Sequence, residues 1–291
     1  VEKYSKWMAA WRHYPERQSK QISRGPGLIE PALTRIGDKS GNLRFNGWRY
    51  RYRRSHQRKT YAQGHRVVVI DLKAGDYLAD LGDPKARQAV IATVAAEVPV
   101  IDGLITCAGV ASQFPDAGKI LQINYFGTTE VIEGLSSNII SGGRVIAISS
   151  NSAPMSTRPD LIEAMLESSE DKTVKLGSSL HGHECYASSK SAVARYMRRK
   201  APDLAQRGIS FNALAPGYIS TPMTQSVERD PEYGPLIKAF VDSIPIGRPG
   251  QAEDVANLAM FLLSPEGAYV AGSTLVIDGA HDAMMRPDAN L

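Results

Sequence analysis

From residue 64 onward the sequence predicts an α/β protein built on a doubly wound parallel sheet with helices on both faces. Three observations predict it. Short β-branched runs such as Arg66-Val-Val-Val-Ile-Asp71 alternate with longer stretches of helical periodicity, the order expected of βαβ units. These runs are apolar almost throughout, as strands covered on both sides must be. A chain of 291 residues with 43% hydrophobic content is also long enough for one large domain of this kind.

The elements follow in order. Arg66 to Asp71 reads as a fully buried strand ending in a carboxylate. In a doubly wound dinucleotide fold this is the second strand, and an acid at its end accepts hydrogen bonds from the adenosine ribose. Asp71 would then favour NAD and repel the 2′-phosphate of NADP; read alone, it is equally well a strand-end turn. Pro84 to Glu97 reads as a helix with Ala86, Val90, Ile91 and Val94 on its apolar face. Gly103 to Cys107 is the next strand, and Lys119 to Ile139 reads as one long helix containing Asn124, a residue more often on a helix surface than inside. Arg144 to Ser149 is a strand, Ser152 to His183 carries a helical run from Leu161 to Ser168, and Ser191 to Lys200 is helical again. Ser210 to Ala213 is a strand turned by Pro216-Gly217. Pro222 to Pro245, with Met223, Tyr233, Leu236, Ile237, Phe240 and Val241, is either ordinary helix packing or a substrate lid. Gln251 to Ser264 is an amphipathic helix, and Ser273 to Asp278 a buried strand before a tail of dimer or lid character.

Chemistry concentrates in His183-Glu-Cys-Tyr-Ala-Ser-Ser-Lys190. Tyr186 and Lys190 are spaced i, i+4, so a helix places them on one face. A neighbouring ammonium stabilises a phenolate and brings its pKa down from about 10 toward neutrality, which makes a general acid/base. Alone, such a pair is usually solvated surface. Its company is more specific: Ile101-Asp-Gly-Leu-Ile-Thr-Cys-Ala-Gly109, Leu121-Gln-Ile-Asn-Tyr-Phe-Gly127, Gly143-Arg-Val-Ile-Ala-Ile-Ser-Ser150 and Ile209-Ser-Phe-Asn-Ala-Leu-Ala-Pro-Gly-Tyr-Ile-Ser-Thr221.

In order and content these motifs resemble the short-chain dehydrogenase/reductase family, continuously from Asp71 to Leu291. The ending Ile277-Asp-Gly-Ala-His-Asp-Ala-Met-Met-Arg-Pro287 is similar to that of the family's bacterial hydroxysteroid dehydrogenase branch. The resemblance implies a Rossmann-type fold and an NAD-dependent interconversion of a secondary alcohol and a ketone, on a steroid or similar cyclic substrate. It implies catalytic roles for Asn124, Ser150, Tyr186 and Lys190, with Ser149 the candidate if the register slips by one. Asn124 would hold a water behind Lys190, and Lys190 would bind the nicotinamide ribose. It implies cofactor contacts from Asp71, Asp80, Leu81, Cys107, Ala108, Gly109, Tyr186, Lys190, Pro216, Gly217, Ile219 and Thr221. Asp80 would take the adenine amine, although a helix-start Asp is nearly as good a reading. Cys107 stands where relatives have Asn, which removes an amide able to brace the sheet. The stretch from Ser152 to His183 then reads as an insertion, which would cover a face used for tetramers, so a homodimer is expected.

The first part of the chain departs from this pattern. Residues 1–65 hold 15 Lys and Arg against 4 Asp and Glu, the remainder 19 against 26, and Trp7, Trp11 and Trp48 all fall before residue 64. Two units are therefore expected: an atypical basic, poorly ordered segment over 1–63, and a dehydrogenase domain over 64–291. The first strand and the glycine-rich turn that would cradle a pyrophosphate are missing or replaced, since Asn42 to Gln63 contains one glycine, Gly47. Arginines interleaved with Trp and Tyr suit a nucleic-acid contact, but a frame reading is preferred. Read one nucleotide later, Trp48-Arg49 must encode Gly, and the neighbouring codons permit Thr-Gly-Gly-Gly-Thr-Gly-Ile-Gly, the family's cofactor loop. If the loop is truly lost, the alternative is a catalytically silent relative unable to bind NAD.

Other classes are disfavoured. No apolar run has membrane-spanning length and no secretory pattern opens the chain, so the expectation is cytoplasmic. Cys107 and Cys185 have neither disulfide nor metal-ligand spacing, and His181-Gly-His183-Glu184 lacks a third metal ligand. The expected partners are a small-molecule alcohol or ketone and a second copy of the chain, with neither membrane nor nucleic acid.

Overall fold

The structure, a computed structural model, describes residues 65–221 and 234–289 together with the backbone of 33–34 and 45–46. Six strands follow one another as β1 (Leu33–Thr34), β2 (Phe45–Asn46), β3 (Val67–Val68), β4 (Ile70–Asp71), β5 (Tyr77–Leu78) and β6 (Ile101–Thr106), with helix α1 (Pro84–Glu97) before the last. Then come α2 (Ala117–Leu121), α3 (Gly127–Leu135), β7 (Ile139–Ile148), α4 (Pro159–Leu166), α5 (Glu170–Gly177), α6 (Gly182–Gln206) and β8 (Ser210–Pro216). The chain closes with α7 (Gly234–Asp242), α8 (Ala252–Leu263), β9 (Thr274–Ile277) and α9 (His281–Met285).

The main sheet runs β3-β1-β6-β7-β8-β9, with β2 also on β6. Strands β6 to β9 are all parallel neighbours, so the doubly wound α/β expectation holds. Successive residues of a strand face opposite sides, and each side has its own core. Leu104, Val145, Ala147, Phe211 and Ala213 join the cluster under α1, α3 and α6. Ile105, Ile146, Ile148 and Leu214 join the one under α8.

Two short strands from earlier in the chain lie beside β6 and β3. Strand β1 pairs antiparallel with both β3 and β6, and β2 pairs parallel at Ile105 and Thr106. The glycine-poor turn that follows in sequence lies outside the described residues.

Several element boundaries differ from expectation for identifiable reasons. The run from Arg66 to Asp71 is buried but not one strand. At Val69 the N–H donates to Asp76 Oδ2 at 2.7 Å and the carbonyl accepts from Asp76 and Tyr77, so β4 leaves the main sheet to pair with β5. Lys119 to Ile139 is not one helix, because a π turn over Gln122–Phe126 separates α2 from α3, and Ile139 already begins β7. Strand β9 is half-exposed rather than buried, with Val276 44% accessible. The insertion holds a second helix, α5, beside the anticipated α4.

That second helix is tied down by Arg87, which is fully buried on α1. Its guanidinium donates to both carboxylate oxygens of Glu130 on α3 at 2.7 and 2.8 Å, to the Leu81 carbonyl at 2.8 Å, and to Glu170 at the start of α5. Glu170 also accepts from Gln122 in the π turn at 2.8 Å. One buried cation thus fastens the insertion to the sheet's helical layer.

Arg87→Ala should destabilise the fold by about 3–5 kcal/mol, because two carboxylates lose their buried partner. Urea denaturation reads the loss; a change within about 0.5 kcal/mol would show that the cluster does not hold the insertion.

Candidate active site

The C-terminal ends of parallel strands form a crevice where ligands of open α/β sheets bind, and here it contains a cavity of about 240 Å³. Strand β7 delivers Ser149 and Ser150 to its floor. The two serines do different things. Ser149 is turned inward: its N–H donates to the Leu214 carbonyl at 2.7 Å and its Oγ to the Lys190 carbonyl at 2.8 Å. Ser150 faces the cavity that Tyr186 also lines. The register alternative between them therefore resolves geometrically toward Ser150.

Helix α6 brings Tyr186 and Lys190 to the same wall, one turn apart. The Lys190 Nζ lies 5.8 Å from the Tyr186 ring centroid and donates to the Ile148 carbonyl at 2.9 Å. Burial pulls the ammonium down to about 8, opposed by the Cys107 thiol nearby. Burial likewise raises the Tyr186 phenol above its usual value, and the hydrogen bond from Ser150 is what works in the other direction. Burial thus outweighs the lowering expected of Lys190, whose Nζ donates to a backbone carbonyl.

Asn124 sits in the π turn, fully buried, where such turns often mark functional sites. Its Oδ1 accepts from Val110 N at 2.7 Å, and its Nδ2 donates to Val110 O at 3.0 Å and to Ser189 Oγ at 3.4 Å. Its amide therefore clamps the loop after β6. Beside it lies Gly109: a Cβ there would stand 3.1 Å from Asn124 Oδ1 and 3.4 Å from Lys190 Nζ. The bare backbone keeps this wall open to a ligand.

Pro216, Gly217 and Ile219 line the cavity opposite, and Gly217 packs against Asp278 too closely for a side chain. Ile237 and Phe240 of α7 supply an apolar wall. Met223 and Tyr233, and the side chain of Leu236, lie outside the described residues.

Other expected residues lie elsewhere. Asp71 is buried with Oδ1 accepting from Lys73 N at 2.9 Å and Ala74 N at 2.7 Å. Asp80 accepts from Gly82 N at 2.8 Å, and Leu81 is buried in the core. Cys107 and Ala108 end the neighbouring strand, burial pushing the Cys107 thiol up to about 12. Thr221 is buried just past Ile219. None of these six lines the cavity.

Several cavity residues were given no catalytic or cofactor role from sequence, among them Asn151, Ser152, His183, Tyr218 and the β6 loop from Val110 to Gln113. His183 was weighed only as a metal ligand, although its i, i+3 spacing to Tyr186 placed it on the same face. Among the described residues no group of three His, Cys, Asp or Glu is arranged to hold a metal. Glu184 instead accepts from His181 N at 3.3 Å at the start of α6.

Comparison with known proteins agrees with this geometry. A short chain dehydrogenase model matches residues 55–159, and a model described as enoyl-(acyl carrier protein) reductase matches 173–280. The chain is 34% identical over 234 residues to a 3-alpha-hydroxysteroid dehydrogenase/carbonyl reductase of Comamonas testosteroni, covering 78% of this chain and 90% of that protein. It is 30% identical to a galactitol 2-dehydrogenase of Cereibacter sphaeroides, over 76% of this chain and 86% of the relative. The crystal structure of a 3-alpha-hydroxysteroid dehydrogenase from Pseudomonas sp. B-0831, complexed with NADH, superposes with a TM-score of 0.76 at 32% identity, covering 82% of this chain and 96% of that one. The chain belongs to the short-chain dehydrogenase/reductase family, enzymes that use nicotinamide cofactors. Its relatives act on small molecules, and among the described residues no helix is long and apolar enough to cross a membrane.

The nicotinamide end of such a cofactor fits the residues present, since Gly109 leaves bare backbone in the cavity wall next to the buried Lys190.

The buried ammonium has a stability signature. With its folded pKa near 8 against 10.5 for the free group, the unfolded chain binds more protons between these values. Wild-type stability from this group therefore rises with pH across that window, and the penalty is fully present below it. Relative to Lys190→Met, wild type should gain stability as pH rises from about 8 to about 10.5. Parallel urea denaturation curves at both ends check this; a pH-independent difference would mean that Lys190 is not held in a desolvated site.

Proposed function

We propose that this chain is an NAD-linked oxidoreductase that interconverts a secondary alcohol and a ketone on a steroid or similar cyclic substrate. The observation that carries the reading is the convergence of Ser150, Tyr186 and Lys190 on one cavity whose other wall is Ile237 and Phe240. The hydroxysteroid dehydrogenase likeness at 34% identity supports the substrate class. The buried carboxylate of Asp71 at the end of β4 supports NAD, since a 2′-phosphate beside it would be repelled.

When bound, the nicotinamide would accept or give the hydride. Ser150 would hydrogen-bond the substrate oxygen where negative charge develops. Tyr186 would give its proton to that oxygen during ketone reduction and take it back during alcohol oxidation. Lys190 would hold the nicotinamide ribose, and Asn124 would keep the β6 loop at the distance this needs. Asp80, Leu81, Cys107, Ala108, Pro216, Gly217, Ile219 and Thr221 complete the proposed cofactor surface. We further assign the chain to the cytoplasm, as a homodimer, with residues 1–63 an atypical basic segment, read as out of the ancestral frame, before the catalytic domain at 64–291.

One observation favours a second reading. The stretch from Asn42 to Gln63 has a single glycine where the family's phosphate-cradling turn belongs, so the protein as encoded is instead a silent relative that cannot hold NAD. Titration with NADH, followed by energy transfer from tryptophan, separates the readings. Saturable binding supports the enzyme, and its absence supports the silent relative.

Because burial raises the phenol pKa, Tyr186 keeps its proton at neutral pH. Ketone reduction should therefore be supported there, and alcohol oxidation should climb with increasing alkalinity. Tyr186→Phe should lower turnover about 10²- to 10⁴-fold with NADH affinity unchanged. Near-normal turnover in that variant, or oxidation that is fastest in acid, would remove Tyr186 from the proton-transfer role.

A further inference from the structure

The segment after β9 grips the cavity from two sides. On the side of the turn after β8, Ile277 O accepts from Gly217 N at 3.0 Å, and Asp278 Oδ2 accepts from Asn151 Nδ2 at 3.1 Å and from Asp282 N at 2.6 Å. Gly217 and Asn151 both line the cavity. The chain then reverses at Gly279 and Ala280, with φ of +68° and +70°. That conformation is disfavoured for a residue with a Cβ and persists only where surrounding contacts over-determine it. The residue it delivers is His281, buried at 1% accessible and set behind the cavity lining rather than in it.

On the other side, His281 holds Phe240 of α7 at both its ring and its backbone. The imidazole packs edge-on to the Phe240 ring with centroids 4.6 Å apart, and Phe240 in turn meets Tyr218 edge-on at 5.9 Å. Ser243 Oγ donates its one proton to the Phe240 carbonyl at 2.6 Å, so in its 3.4 Å contact with His281 it accepts, and Nε2 carries the hydrogen. The carbonyl so served is one of those that the end of α7 leaves without an intrahelical partner. We propose that His281 is a specificity-determining positioning residue: by fixing Phe240 against the Asn151 and Gly217 side, it sets the width of the cavity and so the ring size of the ketone accepted. The proposal rests on the dehydrogenase reading and adds to it a residue that touches no reacting atom. With the imidazole gone, Phe240 has space to withdraw into. A one-ring ketone then loses its contact with that wall, while a fused-ring ketone still reaches it.

The test compares NADH-linked reduction of cyclohexanone and of a four-ring steroid ketone by the full chain. His281→Ala should raise KM for cyclohexanone about tenfold with kcat within about twofold, and leave both constants for the steroid ketone within about twofold, so the preference for the larger substrate rises about tenfold. His281→Phe, which keeps an aromatic edge against Phe240, should restore the wild-type preference. Ser243 is exposed, so Ser243→Ala keeps the fold and should shift the preference the same way by about threefold; it decides the matter if His281→Ala does not fold. An unchanged preference overturns the proposal. So does a shift that His281→Phe fails to reverse, or a kcat loss shared by both ketones, which marks a general loss of structure. The clamp is also read without cofactor, by fluorine NMR of the full chain carrying fluorinated phenylalanine, with Phe240→Leu identifying the resonance. Ser243→Ala and His281→Ala should move the Phe240 line toward its position in the urea-unfolded chain, and an unmoved line overturns the clamp. A wild type without NADH turnover counts against the dehydrogenase reading alone, and the clamp then stands or falls on the Phe240 line.

Discussion

The site depends on how helix α6 is fastened to the end of β7. Ser149 Oγ reaches across to the Lys190 carbonyl and Lys190 Nζ reaches back to the Ile148 carbonyl. These two buried hydrogen bonds, in opposite directions between the same elements, fix the helix in rotation as well as distance. Ser150, next along the strand, and Tyr186, one turn up the helix, then have little choice but to meet. Because both connections use backbone carbonyls, they persist whatever the protonation of the phenol.

The surrounding architecture protects that juncture. On one side Asn124 clamps Val110, so the β6 loop, with Gly109 facing Lys190, keeps an open wall. On another, Arg87 gathers Glu130, Glu170 and the Leu81 carbonyl, fastening the inserted helices over α2 and α3. At the cavity mouth the C-terminal segment supports the apolar wall: the His281 ring packs edge-on to Phe240 with centroids 4.6 Å apart, and Asn151 donates to Asp278 at 3.1 Å. Helix α7 is thereby joined to the chain's last helix as well as to the cavity.

Much of this was legible in the sequence. The strand–helix alternation gave the sheet, because strands buried on both faces are apolar throughout, and α1 was readable to the residue. The Ser150, Tyr186 and Lys190 constellation was legible from motif order. What was not legible depends on contacts between distant residues. Arg87 looks like a surface residue on an amphipathic helix until Glu130 and Glu170 are folded against it. Helix α5 has few apolar residues and owes its place to that same ion cluster. The break at Asn124 is a hydrogen-bonding decision, made by an amide that finds Val110. The direction of the Tyr186 shift required knowing where Nζ points, which spacing alone does not say.

The central claim is that Ser150 and Tyr186 act as one unit on a single substrate oxygen. A double-mutant cycle on NADH-linked ketone reduction, with Ser150→Ala, Tyr186→Phe and the double variant, tests it most directly. The account predicts strong non-additivity, with the double variant no slower than Tyr186→Phe alone by more than about threefold. Losses that multiply, each variant acting as though the other residue were elsewhere, would contradict it.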